Sequence, residues 1–286
     1  MGKRNVEIVV ISDVHLGTYG CRAKELLTYL KSIKPKILIL NGDIIDIWQF
    51  SKRYWPKTHM KVIKQVIGMA ARGVKTYYIT GNHDEMLRKF SGLKIGSLEI
   101  TNQLVLNIDD KKAWFFHGDV FDVVIQNSKW LARLGSIGYD ALIVLNNIIN
   151  RINRFLGKGN VSISKKIKDN VKTAVKYINS FEETAAQVAA SKGYSYIVCG
   201  HIHQAEIRKI EKNGKKVVYL NSGDWIENLT SLEYKKGKWK IYTFADNDVP
   251  KEADYPAEDS ELALADYGPR ELFNFMLNDM QKDSKH

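Results

Sequence analysis

Cysteine is scarce in this sequence: Cys21 and Cys199 are the two present, too few for a disulfide framework. Cys199 ends an apolar run, where a free thiol behaves as a small apolar residue, and a reducing compartment fits. Long hydrophobic runs are missing as well. The most apolar helical stretch, residues 137–156, is broken by Asp140, Arg151, Arg154 and several asparagines, which excludes a transmembrane span there. The N-terminus passes from Lys3 and Arg4 into a short apolar run that ends on Asp13, the pattern of a first strand and not of a signal peptide. Val6 stands where a myristoylation pattern needs Ser or Thr. These absences predict a cytoplasmic protein. A nucleic-acid-binding module is absent too, as is any basic run interleaved with aromatics, so no nucleic-acid partner is expected despite a formal charge of +11.

Charge, by contrast, is abundant and uneven. Residues 246–286 carry 11 Asp+Glu against 4 Lys+Arg, a net of −7, whereas residues 1–245 carry 39 Lys+Arg against 21 Asp+Glu, a net of +18. Such a body favours an anionic partner, either a phosphorylated substrate or an anionic membrane surface. With 44% hydrophobic residues the chain has ample core for one large α/β domain with an insertion, or for two small domains.

In order, residues 5–11 read as a buried strand and 22–33 as a helix with Leu26, Leu27 and Leu30 on one face, closed by Pro35. Strand 37–40, helix 59–71 and strand 75–79 complete a βαβαβ pattern, which implies a mainly parallel sheet. Residues 98–108 and 112–116 read as a hairpin around Asp109-Asp110-Lys111. Residues 123–192 show helical periodicity alone and form an all-helical insertion. Short alternating strands at 205–211, 216–220, 229–235 and 238–244 predict a second, mostly antiparallel sheet. The domain is thus expected to span 1–245, with 246–286 an acidic, loosely attached C-terminal tail that the chemistry does not need.

The apolar runs share an ending. Residues 196–203 stop at Gly200 and present His201 and His203, which in an extended backbone point the same way, as a pair of metal ligands would. The same grammar recurs at Asp13 and His15, at Asn41-Gly42-Asp43, at Gly81-Asn82-His83-Asp84 and at His117-Gly118-Asp119, so five of the seven histidines fall in strand-end loops. Together the loops supply Asp13, His15, Asp43, Asn82, His117, His201 and His203. Carboxylate, imidazole and amide oxygen without thiolate suit a borderline or moderately hard divalent ion such as Mn²⁺, the first expectation, Fe²⁺ or Zn²⁺. Seven ligands exceed the needs of one ion and suffice for two at ~3.5–4 Å that share a carboxylate, an arrangement that clamps a phosphorus centre for in-line attack by a shared hydroxide.

Asp13-x-His15, Gly42-Asp43-x-x-Asp46, Gly81-Asn82-His83-Asp84, His117-Gly118-Asp119 and Gly200-His201-x-His203, each after a strand, resemble the motif set of the calcineurin-like metallophosphoesterase superfamily over residues 5–244, the insertion excepted. The resemblance implies a four-layer α/β/β/α sandwich of two mixed sheets. It also implies two divalent ions, one on Asp13, His15, Asp43 and His203 and one on Asp43, Asn82, His117 and His201, with Asp43 as the bridge. His83 would then face the scissile phosphate and protonate the leaving oxygen, with Asp84 a candidate to orient its ring.

Within that superfamily Ser12–Gly17, Gly42–Trp48, His117–Asp119 and Ser222–Trp225 resemble UDP-2,3-diacylglucosamine hydrolases. Those enzymes cleave a pyrophosphate to UMP and lipid X in lipid A biosynthesis at the inner face of the cytoplasmic membrane, and they carry a helical lid between the last two metal-binding loops. The resemblance therefore implies a lipid-linked nucleotide-sugar substrate, a peripheral position on an anionic inner membrane, and a lid at 123–192. Basic residues of that insertion, Lys165 and Lys168 among them, are candidate substrate contacts, as are Asn82, His83 and Asp122; Asp46, Asp119 and Trp225 are second-shell or substrate-contact candidates. The best-known branch has arginine where this chain has His83, which keeps open a soluble nucleotide or phosphodiester substrate. A non-catalytic scaffold on the same fold is the remote alternative.

Overall fold

The structure is a computed structural model that describes residues 3–48, 54–121, 178, 181–212 and 214–245. The chain divides into two compact units, Met1–Gly118 with Ala186–His286, and Asp119–Ala185. In the first unit the described strands are, in chain order, β1 (Arg4–Ile11), β2 (Ile33–Asn41), β3 (Lys75–Ile79), β4 (Lys94–Ile95), β5 (Leu98–Thr101), β6 (Leu104–Ile108), β7 (Lys111–Phe115), β8 (Tyr196–Cys199), β9 (Glu206–Lys212), β10 (Lys215–Asn221), β11 (Thr230–Lys235) and β12 (Lys238–Thr243). Helices α1 (Ala23–Ser32) and α2 (Lys57–Ala71) connect the first three strands.

The strands form two mixed sheets, one of seven strands in the order β12-β11-β1-β2-β3-β5-β4 and one of five in the order β6-β7-β8-β10-β9. In the first, β1, β2, β3 and β5 are parallel; in the second, β7, β8 and β10 are. Alternation along β1 explains how the first sheet is covered on both sides. Val9 and Ile11 join a core with Leu26, Leu27 and Leu30 of α1 and Val62, Ile63 and Val66 of α2. Ile8 and Val10, pointing the other way, pack with Ile108, Phe115, Val198 and Leu220 of the second sheet. Each of these buried side chains contributes about 2 kcal/mol to folding.

Three readings of the sequence change. First, α1 ends at Ser32 and Pro35 lies inside β2. Proline is tolerated because residues 33–36 pair only with β1, and β3 joins β2 from Ile37 onward. Second, residues 98–108 are two strands in different sheets, split at Asn102-Gln103, and the β6–β7 turn is Asp109-Asp110 with both residues at positive φ, as a two-residue type I′ hairpin requires. Third, β11 and β12 extend the first sheet beside β1 and do not belong with β9 and β10. Alternating polarity identified each hairpin but carried no information about which sheet edge it would join.

Of the expected insertion, residues 181–192 are helical, and most of the remainder lies outside the described residues, as does the acidic segment 246–286. Among the described residues no helix is long and apolar enough to cross a membrane.

Candidate metal centre

Parallel direction brings the site together. β1, β2 and β3 in one sheet and β7 and β8 in the other all deliver their C-terminal loops to the same end, the position where open α/β sheets bind ligands. Backbone hydrogen bonds stitch those loops: Val14 and His15 N–H donate to Asp43 O (2.9 Å each), Asp46 N–H to Leu16 O (2.9 Å), Ile47 N–H to His83 O (3.1 Å) and Gly200 N–H to His117 O (2.9 Å).

Asp13, His15, Asp43, His201 and His203 all sit at positive φ, between 52° and 68°. For non-glycine residues this costs on the order of 1–3 kcal/mol each, and such strain gathers at functional sites. The extended His201-x-His203 backbone expected from the sequence is therefore not formed. Each histidine turns to a different aspartate: His203 Nε2 lies 3.2 Å from Asp13 Oδ1, while His201 groups with His117 and Asp43. Glycine is required beside them. A Cβ at Gly81 would stand 2.2 Å from Asp43 Oδ1, and one at Gly200 would stand 2.4 Å from Asp13 Oδ2.

Three sets of side chains lie close enough to share an ion: Asp13, His15 and His203; Asp43, His117 and His201; and His15, Asp43 and His83. Asp43 Oδ2 is 3.2 Å from His117 Nε2 and 3.9 Å from His15 Nε2, which places it between the first two sets. The rings are held from behind. His117 Nδ1 donates to Asn41 O at 3.0 Å and His15 Nδ1 to Asp46 Oδ2 at 3.1 Å, so the opposite nitrogen of each ring turns its lone pair to the centre. His15 Nε2 and Asn82 Oδ1 are buried without a hydrogen-bond partner, which is costly unless something else occupies them. Imidazole nitrogens, carboxylate oxygens and one amide oxygen fit divalent cations of the borderline to moderately hard kind.

The electrostatics agree. Burial alone would raise the Asp13 carboxyl, but His203, His117 and His15 hold it well below the usual carboxylate range. Asp43 is lowered likewise: burial and the repulsion of Asp13 raise it, and His117 and His15 together bring it below its ordinary value. Burial lowers His203, yet the Asp13 carboxylate pushes it up to about 9. The aspartates are thus ionised and ready to ligate.

Asp46, a second-shell candidate from sequence, touches two histidines, since its Oδ2 also lies 2.9 Å from His83 Nδ1. The expected partner of His83, Asp84, is engaged otherwise. It is fully buried and accepts hydrogen bonds from Ile44 N–H (2.9 Å), Gly81 N–H (2.6 Å) and Tyr78 O–H (2.7 Å), and no ion pair joins it to His83 among the described residues. Asp84 braces the turn and Asp46 holds the ring; the motif Gly-Asn-His-Asp placed Asp84 next to His83 in sequence, but its carboxylate turns to Gly81, Tyr78 and Ile44 and ties its own loop to the one after β2. Trp225 is core, with its ring 5.3 Å from that of Tyr29. Asp122, Lys165 and Lys168 lie outside the described residues.

Sequence reasoning named Asn41 and Trp48 within their motifs but gave neither a role: the Asn41 carbonyl fixes His117, and the Trp48 ring, 59% exposed, lies 5.0 Å from the His83 ring. It missed Asn221, which is fully buried and donates to Gly200 O at 2.8 Å behind the His201 loop. Asn41 and Asn221 each end an apolar strand, the only signal that could have marked them.

Comparison with known proteins places this geometry in context. The Calcineurin-like phosphoesterase family model matches residues 6–205. Three curated relatives share the name UDP-2,3-diacylglucosamine hydrolase. The protein of Aliivibrio fischeri (strain MJ11) is 24% identical over 82% of this chain and 96% of its own length. That of Blochmanniella pennsylvanica (strain BPEN) is 26% identical over 74% and 85%, and that of Stenotrophomonas maltophilia (strain K279a) is 22% identical over 82% and 97%. With the family model spanning well over half of its length and candidate metal-binding groups gathered at its strand ends, this chain belongs to the calcineurin-like phosphoesterase family and is a metal-dependent phosphoester hydrolase.

Proposed function

We propose that the chain hydrolyses the pyrophosphate of UDP-2,3-diacylglucosamine, or of a closely similar lipid-linked nucleotide sugar, to UMP and an acylated sugar phosphate, at the surface of an anionic membrane. The observation that carries the phosphoester chemistry is Asp43 Oδ2 lying between His15 Nε2 and His117 Nε2. The lipid substrate is supported by the shared name of the curated relatives, each aligned over most of both chains.

Asp13, His15, Asp43 and His203 would hold one divalent ion, and Asp43, Asn82, His117 and His201 the other, with Mn²⁺ the favoured metal. Bound there, two cations would polarise the phosphoryl oxygens and lower the pKa of a water towards roughly 7. The chain's own part is positional. Asp46 engages His83 at Nδ1, and the ring stays partly open to solvent at 23% side-chain exposure, so Nε2 is the atom left to carry a proton to the leaving oxygen. The Asp43 carboxylate accepts the His83 backbone N–H at 2.9 Å, which ties the acid to the ligand shell.

His83 itself favours a second reading, in which the substrate is a soluble nucleotide or phosphodiester. Purified protein with Mn²⁺ is assayed against UDP-2,3-diacylglucosamine and against an aryl phosphodiester. Release of UMP at the higher kcat/KM is expected, and turnover of the soluble ester alone removes the lipid assignment.

A further inference from the structure

The sheets that gather aspartates and histidines at one end gather lysines at the other. Because β2, β3, β7 and β10 all run towards the metal centre, their first residues lie at the opposite pole. There stand Lys36 of β2, Lys75 of β3, Lys111 and Lys112 of β7 and Lys216 of β10, with Lys235 at the β11–β12 hairpin, all exposed. Among the described residues none of the six lies within 4.0 Å of a carboxylate, although Lys111 sits over the Tyr196 ring at 5.8 Å. Of the nearby carboxylates, Glu233 is engaged by Arg4 and Tyr29 and Asp109 by the Tyr234 hydroxyl, while Glu211 faces Lys216 across the β9–β10 register. Lys235 and Lys238 face each other directly across the β11–β12 register, a like-charge pair that destabilises a hairpin unless an anion relieves it.

We propose that this lysine pole is the docking surface of the chain's own acidic segment, residues 246–286. The complementarity is quantitative, since that segment is net −7 and the rest of the chain net +18. Its root is fixed: Phe244 is buried and its N–H donates to Leu229 O at 2.9 Å, at the metal-centre end of β12. From there the pole is one strand length away, about 20 Å for six residues, a distance well within the reach of 41 residues at about 3.3 Å each when extended. Tethering gives an effective concentration of roughly millimolar, enough for many weak contacts to add up. The inference is independent of which phosphoester is cleaved.

Zero-length carbodiimide cross-linking of the full chain, read by mass spectrometry on an equal mixture of light and ¹⁵N-labelled protein, tests it. Intrachain links from Asp and Glu of 246–286 to Lys36, Lys75, Lys111, Lys112, Lys216 and Lys235 are expected at low salt. They should fall about fivefold or more in 0.5 M NaCl, where screening is strong. Links that go instead to Lys57, Lys61 and Lys89, or light-to-heavy links that identify a second copy as the occupant, overturn it. So does a chain that shows no links and pellets with phosphatidylserine vesicles unless Lys111, Lys112 and Lys216 are changed to Gln, which would give the pole to a membrane.

Discussion

Asp46 Oδ2 lies 2.9 Å from His83 Nδ1 and, on its other side, 3.1 Å from His15 Nδ1. One carboxylate that is 1% exposed therefore holds both a candidate metal ligand and the residue proposed as the acid. Carboxylates that hydrogen-bond the far nitrogen of a ligating histidine are worth about 10–100-fold in affinity or activity when removed. Asp46→Asn, which keeps shape and removes charge, should lower kcat on an aryl phosphodiester about 10–100-fold, with KM changed less than threefold. Bound metal measured by elemental analysis separates loss of the acid from loss of the ion.

In the proposed arrangement Asp43 would serve both cations, so Asp43→Ala should abolish turnover and reduce metal content at both positions. His83→Ala should leave metal content near two ions per chain while lowering turnover about 10²-fold or more. Equal metal loss in both variants would contradict the roles given to Asp43 and His83.

Close approach of backbone to ligand gives a third expectation. In Gly81→Ala the new methyl would meet Asp43 Oδ1 at 2.2 Å, and in Gly200→Ala it would meet Asp13 Oδ2 at 2.4 Å and Ser12 Oγ at 2.5 Å. Overpacking of this kind costs about 1–3 kcal/mol. Urea unfolding should show that loss, and metal affinity should fall further than stability because the carboxylates themselves must shift. Neither Gly81 nor Gly200 lies at positive φ, so the loss reports the contact itself, and Gly20→Ala, whose Cβ would meet nothing closer than Ile226 Cγ2 at 3.3 Å, serves as the control.

His59 supplies a pH dependence outside the ligand set. It is buried on α2, its Nδ1 accepts the Gly17 N–H at 3.0 Å, and burial lowers its pKa from 6.5 to about 4. A depressed histidine stabilises the fold above its unfolded pKa, and that contribution is lost as pH falls from about 6.5 towards 4. Between pH 7 and pH 5 the loss is about 2 kcal/mol at 1.36 kcal/mol per unit. His59→Asn keeps an acceptor for Gly17 and removes the titration, so the stability gap between wild type and variant should narrow by that amount at pH 5. An unchanged gap in denaturant titrations at the two pH values would show that His59 does not titrate as buried.

The amino-acid sequence by itself determined the strands that feed the site and the residue types at their ends. Runs such as Ile8–Ile11 and Ile37–Leu40 are apolar on both faces, which only a sheet covered on both sides accommodates, and the glycine, aspartate and histidine that follow each run have no role in a core. Periodicity fixed α1 and α2 to within two residues at each end, because both bury one stripe. What the tertiary structure decided was every relation between segments distant in the chain. Whether β11 pairs with β1 or with β10, whether Asp46 or Asp84 meets His83, and whether Asp13 faces His203 are set by which strands lie side by side and by loops held at positive φ. A pattern read along one strand reports which face is buried, not its neighbour. The metal centre is made of neighbours, and the energy that holds carboxylates and imidazoles together is supplied by two sheets packing, not by any of the five loops alone.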